Sequence, residues 1–128
     1  MNKIMQGIDA ASLGPVTTDD AGTFERQYCF AESFAGFAGH FPGHPILPAI
    51  VEIMIVVALV GDKMGCRQRL VAVDDAKFLK PVLPGQKILV RCLPRTIRGK
   101  LFYSAQLTVG DTTTATLLLD LACAGERS

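Results

Sequence analysis

The sequence has no tryptophan, only two tyrosines and only two histidines in 128 residues. It has no surplus of charge either: 13 lysines and arginines stand against 12 aspartates and glutamates, a net +1. So near-neutral a chain lacks the basic footprint that nucleic acids require and the polybasic face that draws proteins to anionic membranes. Its four cysteines, at 29, 66, 92 and 123, are widely separated and form no C-x-x-C pair, which argues against a zinc site. Residues 1–9 lack the apolar core of a signal peptide. The expectation is a cytoplasmic protein whose cysteines are reduced and pack as small hydrophobes. Low-complexity tracts, internal repeats, P-loops, dinucleotide fingerprints and serine nucleophile elbows are missing too.

A membrane span is also missing. The longest apolar stretch runs from Ile46 to Gly61, but Pro48 and Glu52 interrupt it. The clean run from Ile53 to Gly61 falls far short of the ~20 residues a span needs. Pro48 suits the first turn of a helix, where its missing N–H costs nothing. Pro48 to about Lys63 is therefore expected to be helical, closed by Gly61 and Gly65. Its residues are apolar on every side, so it is expected to be buried on every side, with something wrapped around it.

The rest of the chain supplies the wrapper. Hydrophobic residues make up 49% of the sequence, a surplus that can line a greasy pocket or cover an oligomer interface. The segments 69–80, 87–93, 101–109 and 112–123 are rich in Val, Leu, Ile, Thr, Phe and Tyr. Between them lie Pro84-Gly85, Arg98-Gly99-Lys100 and Gly110-Asp111, turn signals for antiparallel hairpins. Residues 23–30 read as a further strand, and 13–17 as a short one. The expected fold is α+β: an antiparallel sheet curled around one long helix, as a single domain over 1–128. Such a sheet leaves open edges, and open edges invite dimerisation.

The chemistry concentrates in one stretch, Phe37-Ala38-Gly39-His40-Phe41-Pro42-Gly43-His44-Pro45-Ile46-Leu47-Pro48. Three prolines hold the backbone extended, and two glycines let it bend or approach a ligand closely. His40 would then stand beside the amino end of the buried helix. Unpaired N–H groups and the positive dipole there suit a carbonyl oxygen that gains negative charge. An imidazole beside it can exchange protons near neutral pH.

Gly39 to Pro48 closely resembles the active-site motif of the β-hydroxyacyl-(acyl-carrier-protein) dehydratases. The block from Leu70 to Gln86, which contains Asp74-Asp75-Ala76-Lys77-Phe78-Leu79-Lys80-Pro81, resembles the strand and turn that follow the helix in the same family. The resemblance covers about residues 31–122. It implies the hot-dog fold, a homodimer with two sites at the subunit interface, and His40 as the base that works on the proton alpha to a thioester carbonyl. Ala49 falls where the family has a glycine whose N–H polarises that carbonyl. Met54 falls where the family has the carboxylate that a partner subunit's helix contributes.

Met54 cannot give a proton to a leaving hydroxyl. Glu52 is the nearest substitute, yet at 100° per residue it points about 200° away from Met54 on the same helix. Phe41, Pro42, Gly43, Pro48, Met54 and Phe78 are expected to contact the acyl substrate, with Phe102 and Tyr103 packing in the core or lining its tunnel. Lys77, Lys80 and Arg98 are expected to meet an acidic acyl carrier protein. His44 suits a structural or rim position, and Asp74 and Asp75 a solvated one. No metal, cofactor, nucleic-acid or membrane-insertion role is expected. The leading function is dehydration of a 3-hydroxyacyl thioester in fatty-acid-type metabolism. The alternatives are a hot-dog acyl thioesterase, or an acyl-binding subunit that pairs with an active homologue as a heterodimer or higher oligomer.

Overall fold

A computed structural model describes residues 3–37, 43 and 45–124. The motif residues Ala38 to Pro42 and His44 lie outside the described residues. Two helices and six strands follow in the order α1 (Lys3–Ala11), β1 (Ser12–Thr18), β2 (Phe24–Cys29), α2 (Ala49–Met64), β3 (Gln68–Phe78), β4 (Lys87–Ile97), β5 (Lys100–Val109) and β6 (Thr112–Cys123). The strands form one antiparallel sheet in the order β1-β2-β4-β5-β6-β3. It curls around α2, which touches β1, β2, β3, β4 and β6. This is the hot-dog arrangement.

Helix α2 is enclosed because its sequence leaves no polar face. Val51, Ile53 and every residue from Ile55 to Val60 are buried. They pack against Ile88, Val90, Leu107, Ala115, Leu117 and Leu119 from the strands. The helix continues through Gly61, expected to help close it, and stops one turn later at Gly65. Gly65 takes φ +69°, and its N–H bonds the Gly61 carbonyl. A left-handed residue just past the last turn is how glycine ends helices. A further tie holds this end: the Arg26 guanidinium bonds Asp62 at 2.7 Å and the Gly14 carbonyl at 2.8 Å, joining β2, α2 and β1.

Three features depart from the sequence reading. The first is α1. Its Ile4, Met5, Ile8 and Ala11 follow helical spacing and face the core. The Phe34 ring rests on Gly7 of α1, where a Cβ would come within 2.5 Å of it. Phe30 and Phe37 flank that ring, so the run into the motif is packed onto α1.

The second is β4, which runs four residues beyond the expected Leu93 and through Pro94. Its pairing with β2 ends at Cys92, so the side where Pro94 lacks an N–H faces no neighbouring strand. The third concerns the thiols. Cys29 and Cys92 are free, but Cys66 and Cys123 are joined as a disulfide, their Cα atoms 6.0 Å apart. The expectation of four reduced cysteines is corrected on this pair. The C-terminal turn of α2 and the end of β6 lie close enough to bridge, although 57 residues separate them in sequence.

The two sheet edges differ. β1 is short, contains Gly14-Pro15 and loses register between Leu13 and Thr17. β3 is eleven residues long and carries exposed Val71, Val73 and Phe78. Its register slips twice against β6, inserting Val71 and then Asp74 as extra residues. Bulges of this kind twist and bend an edge strand.

Candidate active site

The site is built at the amino end of α2. Pro48 precedes the helix in an extended conformation (φ −64°, ψ 148°) and offers no side-chain cap. Its carbonyl accepts from the N–H groups of Val51 and Glu52, at 3.0 and 3.2 Å. The N–H groups of Ala49 and Ile50 find no acceptor among the described residues. Two donors and the positive end of a 16-residue helix thus open outward, a seat for developing negative charge. Leu47 anchors the approach through its N–H to the Val82 carbonyl, 2.8 Å away, and the Gly85 N–H bonds the Phe30 carbonyl at 2.8 Å. The loop between β3 and β4 therefore holds both sides of the motif.

One line of α2 escapes the wrapping sheet. Ile50 is 57% exposed and Met54, one turn on, is half-buried. These two residues lie about 40° apart around the axis, on a single stripe. An exposed isoleucine on the first turn of an otherwise buried helix was not singled out by sequence. The departure from a uniformly buried helix is a matter of where the sheet ends.

Glu52 lies on the covered side. It is only 4% exposed, and its Oε1 has no hydrogen-bond partner among the described residues. Burial pushes its carboxyl up to about 7, since desolvation penalises the charged form. The acid is thus held near the point where it carries a proton at neutral pH, but on the opposite side of the helix from Met54. At the far end of α2 the Tyr28 hydroxyl is also buried, close to the Arg26 guanidinium but without a well-formed hydrogen bond among the described residues. The nearby Arg26 guanidinium lowers its pKa, but burial is the larger effect and pushes it up to about 12.

The remaining expected site residues separate into two regions. Gly43 is exposed with φ +84°, and Pro48 borders Ala49. His40, Phe41 and Pro42 lie outside the described residues. Phe78 ends β3 with its ring exposed, and Leu79 and Lys80 beside it both donate to the Thr114 carbonyl. Lys77 and Lys80 therefore share the helix-mouth end of the sheet with Leu47 and Val82. Arg98 does not. It occupies the two-residue turn between β4 and β5, at the sheet end where Lys100 bonds Asp120. Through the paired registers Lys77 is level with Arg91, so about seven residues of strand, roughly 23 Å, separate it from Arg98 along the sheet. Asp74 and Asp75 are exposed, with Asp74 in the second bulge. Two adjacent acids that interrupt the alternation of β3 were the available signal for it.

A family model described as ApeI dehydratase matches residues 16–116, most of the chain. The chain belongs to the ApeI-like dehydratase family. Among curated proteins it is 32% identical over 75 residues to a 3-hydroxyacyl-(acyl-carrier-protein) dehydratase FabZ of Granulibacter bethesdensis, covering 52% of this chain and 44% of that one. It is 35% identical over 86 residues to the FabZ of Alkalilimnicola ehrlichii, covering 59% and 56%. The chain thus spans about half the length of the curated relatives it matches. Among solved structures, a dehydratase heterocomplex ApeI:P from Xenorhabdus doucetiae superposes with a TM-score of 0.69 at 20% identity. That match covers 88% of this chain and 96% of the other, and it establishes the shared fold. No helix among the described residues of this ApeI-like chain is long and apolar enough to cross a membrane.

Proposed function

We propose that this chain is a hot-dog subunit of a dehydratase that removes water from a 3-hydroxyacyl thioester carried on an acyl carrier protein. Membership in the ApeI-like family over residues 16–116 carries the reading. The donors at the open end of α2 support it. In this reaction the His40 imidazole takes the proton alpha to the thioester carbonyl, and the Ala49 N–H holds the oxygen as it gains negative charge. An acid then protonates the 3-hydroxyl, which leaves as water, and an enoyl thioester remains. Glu52 is this chain's own candidate for that acid, since burial keeps its proton on near neutral pH. Phe41, Pro42, Gly43, Pro48, Met54 and Phe78 would border the acyl chain. Lys77 and Lys80, at the helix-mouth end, would meet the carrier protein.

A second reading has one specific observation behind it. The outward stripe of α2, where the family's carboxylate would reach a neighbour's site, carries Met54, while Glu52 faces inward. The chain would then complete its site with a carboxylate from a second, non-identical hot-dog subunit. In either case dimerisation would use the long β3 edge, with Val71 and Val73 covered.

Hydration of a crotonyl thioester, followed by loss of its ultraviolet absorbance, tests the reaction in reverse. We expect activity that His40→Ala lowers by about 10²–10⁴-fold, the usual worth of a general base. Met54→Glu should raise the activity of the chain alone. Full activity in His40→Ala removes the base, and release of free thiol from acyl thioesters without hydration would make the chain a thioesterase.

A further inference from the structure

The only covalent cross-link among the described residues lies at the opposite end of α2 from the proposed chemistry. Cys66 follows Gly65, the residue that ends the helix, and Cys123 is the last residue of β6. The backbone around them is already joined. Gln68 pairs with Cys123 at the start of the β3–β6 ladder, and the Ala124 N–H bonds the Arg67 carbonyl at 2.6 Å. Cys66 lies two residues before the ladder partner of Cys123, and the Cα separation of 6.0 Å is within the range a disulfide spans. Both cysteines are half-buried, so a small thiol has access to the sulfurs. Cys66 also forms part of the wall of a groove of about 360 Å³ between α1, α2 and β3, with Met5, Val57, Ala58, Gly61 and Arg67.

The other two cysteines contrast with this pair. Cys92 is buried on β4, and burial pushes its thiol up to about 12, a state with little thiolate. Cys29 is half-buried on β2 without a second thiol to pair with.

We infer that Cys66 and Cys123 form a redox-responsive clasp, which closes in an oxidising thiol pool and opens in a reducing one without dismantling the domain. The reasons are positional. The ladder holds the two segments side by side whether or not the bond exists, so opening leaves the fold intact and closing needs no search. Accessible sulfurs allow exchange with a low-molecular-weight disulfide such as glutathione disulfide. In closing, one cysteine thiolate attacks a glutathione disulfide sulfur, releases one glutathione and leaves a mixed disulfide. The second cysteine thiolate attacks the protein sulfur of that mixed disulfide and releases the second glutathione. Two protein thiols thus lose two electrons and two protons, and one glutathione disulfide becomes two thiols. The closed form fixes the wall of the groove and the first residues of the β3 edge. The open form leaves them held by the backbone hydrogen bonds and by the Gln68 side-chain amide, which donates to the Cys66 carbonyl at 3.0 Å.

The test needs only the wild-type chain, equilibrated across a series of glutathione ratios and then unfolded and alkylated. Mass shifts should count two thiols at the oxidising end and four at the reducing end, reversibly, with the far-ultraviolet circular dichroism unchanged. A link that closes a 57-residue separation should raise the melting temperature of the oxidised form by about 10 °C. Cys123→Ser should melt like the reduced wild type and form no intramolecular disulfide at any glutathione ratio, its Cys66 stopping at the mixed disulfide. Four thiols throughout would show that the clasp does not close. Two thiols throughout would make it a permanent staple, and loss of the fold on reduction would make it indispensable. Each of these results overturns the inference.

Discussion

The two ends of α2 belong to one largely apolar helix and end up under different constraints. At the carboxyl end Gly65 terminates the helix, Arg26 ties Asp62 to β1 and β2, and the Cys66–Cys123 bridge fastens the exit to β6. At the amino end two N–H groups and the buried Glu52 carboxyl find no partner among the described residues, and Ile50 is exposed. The cross-ties between elements concentrate at the carboxyl end, although the Tyr28 hydroxyl there is also buried without a well-formed hydrogen bond among the described residues. Unsatisfied polar groups cost stability and are tolerated where they serve chemistry or meet a partner. The candidate site lies at the end of the helix with fewer such ties.

The contrast can be broken at its hinge, the buried middle of the helix. Leu59 is fully buried, and Leu59→Ala should destabilise the chain by about 2–5 kcal/mol, read from urea unfolding. A loss under ~1 kcal/mol would mean that the enclosed helix is not the main support.

Glu52→Gln sharpens the comparison at the open end. The folded carboxyl is raised from 4.5 to about 7, above its unfolded value. Below pH ~4.5 both states hold the proton and Glu52 imposes no penalty. As the pH rises from there through 7, the unfolded chain releases its proton first and the wild type loses stability. Glu52→Gln should therefore match the wild type below pH ~4.5 and exceed it by about 3 kcal/mol at pH 8. Equal stabilities at both pH values would mean that the carboxyl finds a compensating partner in solution.

The smallest effect is expected at the closed end. Gly65→Ala places a Cβ on a residue with φ +69° and should cost about 1 kcal/mol without changing activity. A larger effect on crotonyl-thioester hydration than on unfolding would couple the two ends and end the separation argued here.

Much of the fold was legible in the sequence. An apolar segment without a polar face demands enclosure, and alternating β-branched runs between turn residues supply the enclosing strands. The hairpin turns at Gly110-Asp111 and Arg98-Gly99 fell where expected, and α2 began within one residue of Pro48. What escaped was short or long-range. Helix α1 has an apolar stripe in only nine residues, and the tolerance of β4 for Pro94 depends on where β2 stops pairing.

The sequence by itself determined an enclosed helix and a meandering sheet, because local periodicity and backbone stereochemistry act over a few residues. Tertiary structure alone decided which stripe of α2 stays open, that Glu52 is buried, that Arg98 lies far from Lys77, and that Cys66 meets Cys123. Those outcomes depend on how the sheet curls and where its strands end, and residues 57 apart in the chain share no local rule that could announce their contact.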